Sequence, residues 1–337
     1  MNSSLVSIII VNWNGIRWLP GCFGSLVKQD WKNYEIIFVD NASEDESVAW
    51  VKKNYPKTKI IRNEENLGFS HANNIGYKKA KGEYILFLNN DTRVTKTFLS
   101  ELIKTMETDT SIGGAQSKLL LMDKPDILDS VGAFLTPTGF LYHYGFGKKD
   151  RPVFDKQIDL YTAKGACMIF RQGVLNQIAV QGNVFDPTYF AYFEETDICH
   201  RIWLAGWRIV YAYRSVVYHK MGATSSLMNN AFVQYHSFKN RINSYLKNLD
   251  GFHCLSLIPF HILFSVCIAW YALIKGNIEL WKAIHKALWW NIVYWKTTIG
   301  ERLYIQKYIR RQTDSDFFPI IMRCPGIGYY VSLLSRF

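Results

Sequence analysis

Glu83-Tyr-Ile-Leu-Phe-Leu-Asn-Asn-Asp-Thr92 is an apolar run that ends abruptly in two amides and a carboxylate. Tyr84 to Leu88 is apolar at every position, which predicts a strand buried on both faces, as in a parallel sheet covered by helices. The same texture recurs upstream. Val6-Ser-Ile-Ile-Ile-Val11, Tyr34-Glu-Ile-Ile-Phe-Val39 and Lys59-Ile-Ile61 are strand-like, and helix candidates near residues 17–28, 45–54 and 69–80 separate them. Each run stops at a polar cluster: Asn12-Trp-Asn-Gly15, Asp40-Asn-Ala-Ser43, Asn63-Glu-Glu-Asn66 and Asn89-Asn-Asp91. Open α/β sheets bind ligands at the carboxyl ends of their strands. Four polar clusters at that edge therefore point to one site rather than four unrelated loops.

Downstream, residues 96–110 read as a helix, and 130–165 as a Gly- and aromatic-rich stretch of short strands and loops. Gly165-Ala-Cys-Met-Ile-Phe170 resumes the buried-strand pattern. A helix begins near 194, followed by strand-like Arg208–Tyr211 and Val216–Tyr218. From about residue 226 the texture changes. Residues 226–337 hold 13 Lys/Arg against 5 Asp/Glu, most of the chain's formal charge of +11, and so favour an anionic partner surface. No nucleic-acid module is recognisable there, and nucleic acid is not an expected partner. Half of the 337 residues are apolar (49%), enough for a packed core. The six cysteines are scattered with no CxxC pair, a pattern that fits reduced thiols better than a disulfide framework or a zinc site. Leu5–Val11 has no basic residue before it and is too short for a secretory signal, so it reads as the first strand.

A parallel sheet with Asp40 after its second strand also suits a dinucleotide-binding domain. That fold needs GxGxxG after the first strand, where this chain has Asn12-Trp-Asn-Gly15, and a Walker A loop is absent as well. A bound diphosphate then needs another source of positive charge, and a divalent cation is the obvious one. Mg²⁺ binds through one or two carboxylates plus substrate phosphates, which makes Asp91 a candidate ligand.

Together, Val6–Asn14, Val39-Asp-Asn-Ala-Ser43, Asn66-Leu-Gly-Phe69 with Ala72-Asn-Asn74, Leu88-Asn-Asn-Asp-Thr92, Phe193-Glu-Glu-Thr-Asp197 with Arg201, and His219 resemble a family-2 glycosyltransferase of the GT-A fold, close to its bacterial rhamnosyltransferase-like branch. The resemblance covers roughly residues 5–225. It implies an α/β fold with a mostly parallel sheet flanked by helices: a GT-A catalytic domain over 1–225, then a helical, basic and aromatic region over 226–337.

By resemblance, Asp40 accepts a hydrogen bond from the nucleotide's pyrimidine base, a task suited to a carboxylate. The competing reading is that Asp40 and Ser43 form a side-chain turn. Asn14, Asn66, Gly68, Asn89 and Asn90 are expected to contact or shape the donor site. Asn89 stands where the family's DxD motif has its first Asp and brings no charge, so Asp91 keeps the metal role, with His219 as second ligand to Mg²⁺ or Mn²⁺. Against this, Asn-Asn-Asp is also good turn composition.

Inverting transfer needs a carboxylate to take the acceptor's proton. Glu195 matches the family's base position, where Asp is frequent, while Glu194, Gly165 and Ala166 line the acceptor side. The bland alternative is acidic residues favoured at a helix N-terminus. Asp197, four residues before Arg201, reads as a structural ion pair or an acceptor-positioning group rather than a catalytic one.

Gly251–Ile274 holds 24 residues without a charged side chain, and about 20 apolar residues suffice to span a bilayer. His253, Pro259 and His261 within it keep a buried or in-plane helix in competition. Trp281, Trp289, Trp290 and Trp295 then alternate with lysines and arginines, as at a membrane interface. The expected function is transfer of a hexose or deoxyhexose from a UDP- or dTDP-linked donor to a lipid-linked surface glycan, at the cytoplasmic face of the bacterial inner membrane, by a peripheral or single-span protein. The rivals are a nucleotidyltransferase, which would want a basic Gly-rich loop after the first strand, and a catalytically silent nucleotide-sugar or glycan-binding membrane protein, which Asn89 and Glu195 permit.

Overall fold

The computed structural model describes residues 4–222 and 228–334; the expected boundary at 225/226 lies outside the described residues. Strands β1 (Val6–Asn12), β2 (Tyr34–Asp40), β3 (Lys59–Arg62) and β4 (Tyr84–Leu88) pair in parallel in the order β3-β2-β1-β4. Their apolar runs are explained by the two cores they feed. Ile9, Ile37, Val39, Ile85 and Phe87 face one core, and Ile8, Ile10, Phe38, Leu86 and Leu88 face the other. That is the alternation a strand buried on both sides must show. Helices α1 (Leu19–Leu26), α2 (Ser47–Asn54) and α3 (Gly68–Tyr77) fall where the sequence predicts them.

The other half of the sheet adds antiparallel pairs to the parallel framework. After β5 (Thr92–Val94) and helix α4 (Phe98–Glu107) come β6 (Ile112–Leu121), β7 (Lys124–Ser130) and a small hairpin of β8 (Ala133–Leu135) and β9 (Leu141–His143). Strand β10 (Cys167–Arg171) then runs antiparallel between β4 and β6. Its direction follows from its point of entry. Gly165-Ala166 reaches the sheet beside the end of β4, where the Asn89 amide donates to the Ala166 carbonyl at 3.0 Å, so the strand can only run back down the sheet. After α5 (Gln172–Ile178) and α6 (Glu194–Leu204), the two strands predicted after 205 prove to be one, β11 (Arg208–His219). It is parallel to β6, with a register shift between Ala212 and Val216, and antiparallel to β5.

Helices α7 (Asn230–Asn248), α8 (Gly251–Ile274), α9 (Ile278–Val293), α10 (Trp295–Tyr304), α11 (Asp314–Ile321) and α12 (Ile327–Leu334) complete the described chain. Tyr245, Leu249, Leu257, Ile305 and Phe317 join the same core as Ile9 and Ile85, so the helical region is packed onto the sheet. A smaller cluster of Phe140, Phe238, Ile268, Leu280 and Ile284 locks α7, α8 and α9 together.

Candidate active site

The carboxyl ends of β1, β2 and β4 converge with the start of β10, the end of β11 and the N-terminus of α6 around a cavity of about 330 Å³. Trp13, Asn41, Asn66, Gly68, Asn89, Asn90, Asp91, Lys164, Gly165, Ala166, Phe190, Glu194, Glu195 and His219 are among its lining residues. The four polar clusters predicted at the strand ends thus contribute to one cavity. Gly68 has φ +78°, and a Cβ there would stand 2.3 Å from the Phe190 carbonyl, so the turn needs glycine. Asn66 fixes that turn by accepting from the Gly68 amide at 3.0 Å and from Asn41 Nδ2 at 2.9 Å.

Asp40 and Asn14 are placed differently from the residues around them. Asp40 is wholly buried; its carboxylate accepts from the Ser43 amide at 3.0 Å and from Asn12 Nδ2 at 3.3 Å. Asn14 accepts from the Glu44 amide at 2.8 Å. Neither lines the cavity, whereas Asn41, next to Asp40, does.

At the end of β4, Asn90 Nδ2 donates to Asn12 Oδ1 at 2.6 Å, and the Asp91 carbonyl accepts from the Lys220 amide at 3.0 Å. This pins Asp91 against His219, the last residue of β11. His219 Nε2 lies 3.5 Å from Asp91 Oδ1, and Nδ1 is 2.8 Å from Asp129 Oδ2. Lys164 Nζ donates to the other Asp129 oxygen at 2.6 Å. Burial alone would raise the Asp129 carboxyl, but His219 and Lys164 outweigh it and hold the group at about 2. Burial would lower the His219 imidazole, yet hydrogen bonds to Asp129 and Asp91 outweigh that and raise it. Asp129 and Lys164 are absent from the sequence-based reading. Lys164 directly precedes Gly165-Ala166, but Asp129 carries no local signal.

This arrangement fits a divalent cation. Asp91 is nearly buried, and among the described residues its Oδ1 meets only His219 Nε2 at 3.5 Å, too long for a good hydrogen bond, which leaves a buried carboxylate oxygen under-satisfied unless something positive meets it. His219 beside it is held through its other ring nitrogen by a carboxylate, the arrangement that fixes the tautomer of a metal-binding imidazole. A second group, Asp250, His253 and Asp314, also brings its ligand atoms within 4.8 Å of one another, away from the cavity. It serves as a helix cap and an ion pair: Asp250 Oδ1 accepts from the His253 amide at 2.8 Å, and Asp314 pairs with Arg310 at 3.1 Å.

Glu194 and Glu195 open α6 on the cavity wall. The turn before them is strained, since Tyr192 and Phe193 have φ of +72° and +70°. Asn240 Nδ2 of α7 holds it by donating to the Ala191 and Tyr192 carbonyls at 3.0 and 2.6 Å. Among the described residues Glu194 Oε2 is buried without a partner, and burial together with the neighbouring Glu195 charge pushes its carboxyl well up. Burial raises Glu195 to about 7, against the downward pull of a backbone hydrogen bond, Lys164 and Arg241. Both neighbouring carboxyls thus hold a proton more tightly than an ordinary carboxylate, a property suited to moving a proton.

Asp197 and Arg201 meet at 3.0 Å, both fully buried and away from this cavity. Lys247 lies 3.6 Å from Asp197, and Asn248 Nδ2 donates to it at 2.8 Å. Burial would raise the Asp197 carboxyl; Lys247 and Arg201 keep it well below the usual range. The residue ties α6 to α7. Of the aromatic run 189–193, Phe190 and Tyr192 face the cavity, whereas Tyr189 and Phe193 are core.

A mixed sheet of this order, with a polar cavity at its strand ends and a helical appendage, defines a GT-A-type nucleotide-sugar transferase fold. Solved structures share it: S. aureus TarS residues 1–349 in complex with UDP (TM-score 0.55, 17% identity, 98% of this chain and 87% of that one) and the mannosyltransferase PcManGT of Pyrobaculum calidifontis in complex with GDP-Man and Mn²⁺ (TM-score 0.54, 13% identity, 98% and 86%). The family model for glycosyl transferase family 2 matches residues 7–178, and the chain belongs to that family. Similar proteins include the glycosyltransferase YwdF of Bacillus subtilis (37% identical over 105 residues, 31% of this chain and 38% of that protein) and the cholesterol galactosyltransferase of Borreliella burgdorferi (32% over 108 residues, 32% and 30%). The matches span about a third of these relatives' length.

Proposed function

We propose that the chain is an inverting glycosyltransferase that moves a hexose or deoxyhexose from a nucleoside diphosphate, UDP- or dTDP-linked, to a hydroxyl of a lipid-linked surface glycan at the cytoplasmic face of the bacterial inner membrane. One observation carries this reading: an under-satisfied buried Asp91 oxygen beside His219, and the neighbouring carboxyls Glu194 and Glu195, line the same cavity. Asp91 and His219 would hold a Mg²⁺ or Mn²⁺ ion, which supplies positive charge to the diphosphate leaving group. Glu195 takes the proton of the attacking acceptor hydroxyl. Its elevated affinity for a proton matches that task near neutral pH. Glu194, protonated beside it, shapes the acceptor side together with Gly165 and Ala166. Asn66, Gly68, Asn89 and Asn90 form the donor wall. In this reading Asp40 acts on the base indirectly, by fixing the turn that presents Asn41 to the cavity.

The solved neighbours in complex with UDP and GDP-Man support a nucleoside-diphosphate donor, and the Borreliella relative's name supports an acceptor in or on a membrane. The test is a screen of UDP-, dTDP- and GDP-sugars for release of nucleoside diphosphate that requires Mg²⁺ or Mn²⁺, followed by NMR of the product's anomeric centre. An opposite anomeric configuration from the donor is expected. A retained configuration, or equal turnover in excess chelator, refutes the reading.

A further inference from the structure

We propose that α8 lies in the plane of an anionic membrane surface, inserting one face into the bilayer while its other face stays packed on the enzyme. The proposal rests on the membrane-acceptor reading above and decides how the chain meets that membrane.

Phe252, Leu255, Phe260, Leu263, Trp270 and Ile274 lie within one side of the helix and are each 51–81% exposed. The opposite side is Leu257, Ile258, His261, Ser265, Ile268 and Ala272, all buried. His261 Nδ1 lies 3.0 Å from the Thr138 carbonyl, its ring sits 4.8 Å from that of Phe140, and Ser265 donates to the His261 carbonyl at 2.7 Å. A transmembrane orientation would expose this side to lipid and break its contacts with Thr138 and Phe140. The packed helix offers lipid one face only.

The occupant follows from charge and composition. The apolar surface continues onto α12, whose Tyr330 ring lies 6.1 Å from that of Phe264 and whose Ile327 is 82% exposed. Lys275 closes the stripe with its ammonium 5.7 Å from the Tyr271 ring, and α9 exposes Lys282, Lys286 and Trp289, a mixture that suits anionic headgroups.

Docking in this orientation also sets the cavity. Tyr245 of α7 donates to the Gly139 carbonyl, next to the Thr138 carbonyl that α8 engages, and α7 holds the Ala191–Tyr192 wall through Asn240. The membrane-facing helix and the acceptor side are thus joined through α7.

The test is flotation of the full chain, with a C-terminal tag, on vesicles of phosphatidylcholine alone or with phosphatidylglycerol. The wild type is expected to float with the anionic vesicles, and a Leu255→Glu/Leu263→Glu variant to lose at least about tenfold of that binding at unchanged melting temperature. The native Cys267, exposed in the middle of α8, should be shielded from an impermeant maleimide by the vesicles, with the tag still open to added protease. Undiminished flotation of the variant, unshielded Cys267, a protease-protected tag (a true span), or a dimer in place of vesicle binding each overturns the proposal. UDP binding measured on the same samples reports the donor site separately; its loss in the wild type would count against the proposed reaction instead.

Discussion

Replacing Glu195 by Gln removes the proposed proton acceptor while keeping the side chain's size and hydrogen-bonding oxygen. Burial holds the Glu195 carboxyl at about 7. The form that accepts a proton is the carboxylate, so kcat/KM should rise with pH, about tenfold per unit below pH 7, and level off above it. A positioned general base contributes roughly 10²- to 10⁴-fold, or about 3–5 kcal/mol of barrier. E195Q should therefore lose that factor at pH 8 and lose the pH dependence with it. Donor affinity should stay near that of the wild type, because the donor-side residues are untouched. The adjacent Glu194 is the internal control. Burial and the Glu195 charge keep it protonated, and Gln mimics a protonated Glu, so E194Q should retain most of the activity and the same acidic limb. The assay is nucleoside diphosphate release with the acceptor present, from pH 5.5 to 9, with UDP binding measured by calorimetry. An E195Q enzyme within about threefold of wild type across that range would refute the base assignment, as would the reverse asymmetry between the two glutamates.

Three further outcomes follow from the same geometry. Asp129→Asn removes the carboxylate that holds His219 Nδ1, and should weaken Mn²⁺ binding by about 10- to 100-fold in electron paramagnetic resonance titrations; unchanged affinity would remove His219 from the metal site. Asp197→Asn leaves Lys247 and Arg201 short of a buried counter-charge, a loss of about 3–5 kcal/mol. It should appear in denaturant unfolding, with an activity lost only in proportion to the unfolded fraction. Gly68→Ala forces a Cβ to within 2.3 Å of the Phe190 carbonyl at a φ of +78°, so it should lower stability by at least about 1 kcal/mol and weaken UDP binding; a neutral substitution would show that the turn is not rigid.

The parallel half of the sheet was legible because β1, β2 and β4 are covered on both faces, and burial of that kind leaves unbroken apolar runs. The strand-end clusters were legible for the same reason, as polar residues that interrupt those runs. The antiparallel β10 was not. Its composition is the same in either direction, and only the contact of Ala166 with Asn89 sets its sense. Asp129 escaped notice because it meets His219 across 90 residues of sequence, from a strand whose pairing with β6 shifts register twice. Asp40 shows the converse limit. A carboxylate that ends a strand reads identically whether it faces a ligand or closes its own turn onto Ser43. In α8, composition alone passes for a membrane span; the packed side containing His261 and Ser265 emerges only once Thr138 is placed against it.

The substitution at Asn89 is easier to understand once the charges around Asp91 are placed. Asn89 serves through its backbone: its amide donates to Ala166, which joins β4 to β10, and its carbonyl accepts from Thr92 Oγ1 at 2.6 Å at the start of β5. That work needs no carboxylate. A second negative charge is nonetheless present, on Asp129 behind the imidazole rather than two residues before Asp91. Lys164 pairs with one of the two carboxylates, and with the neutral imidazole that metal binding requires the cluster would keep a net negative charge, His219 lying between its members. A cation there would stay only partly neutralised by protein, leaving positive charge to face a diphosphate. In the proposed reading Asp129 supports the site through His219, so the departure from a DxD pattern would not empty it, which favours a working enzyme over a silent binding protein.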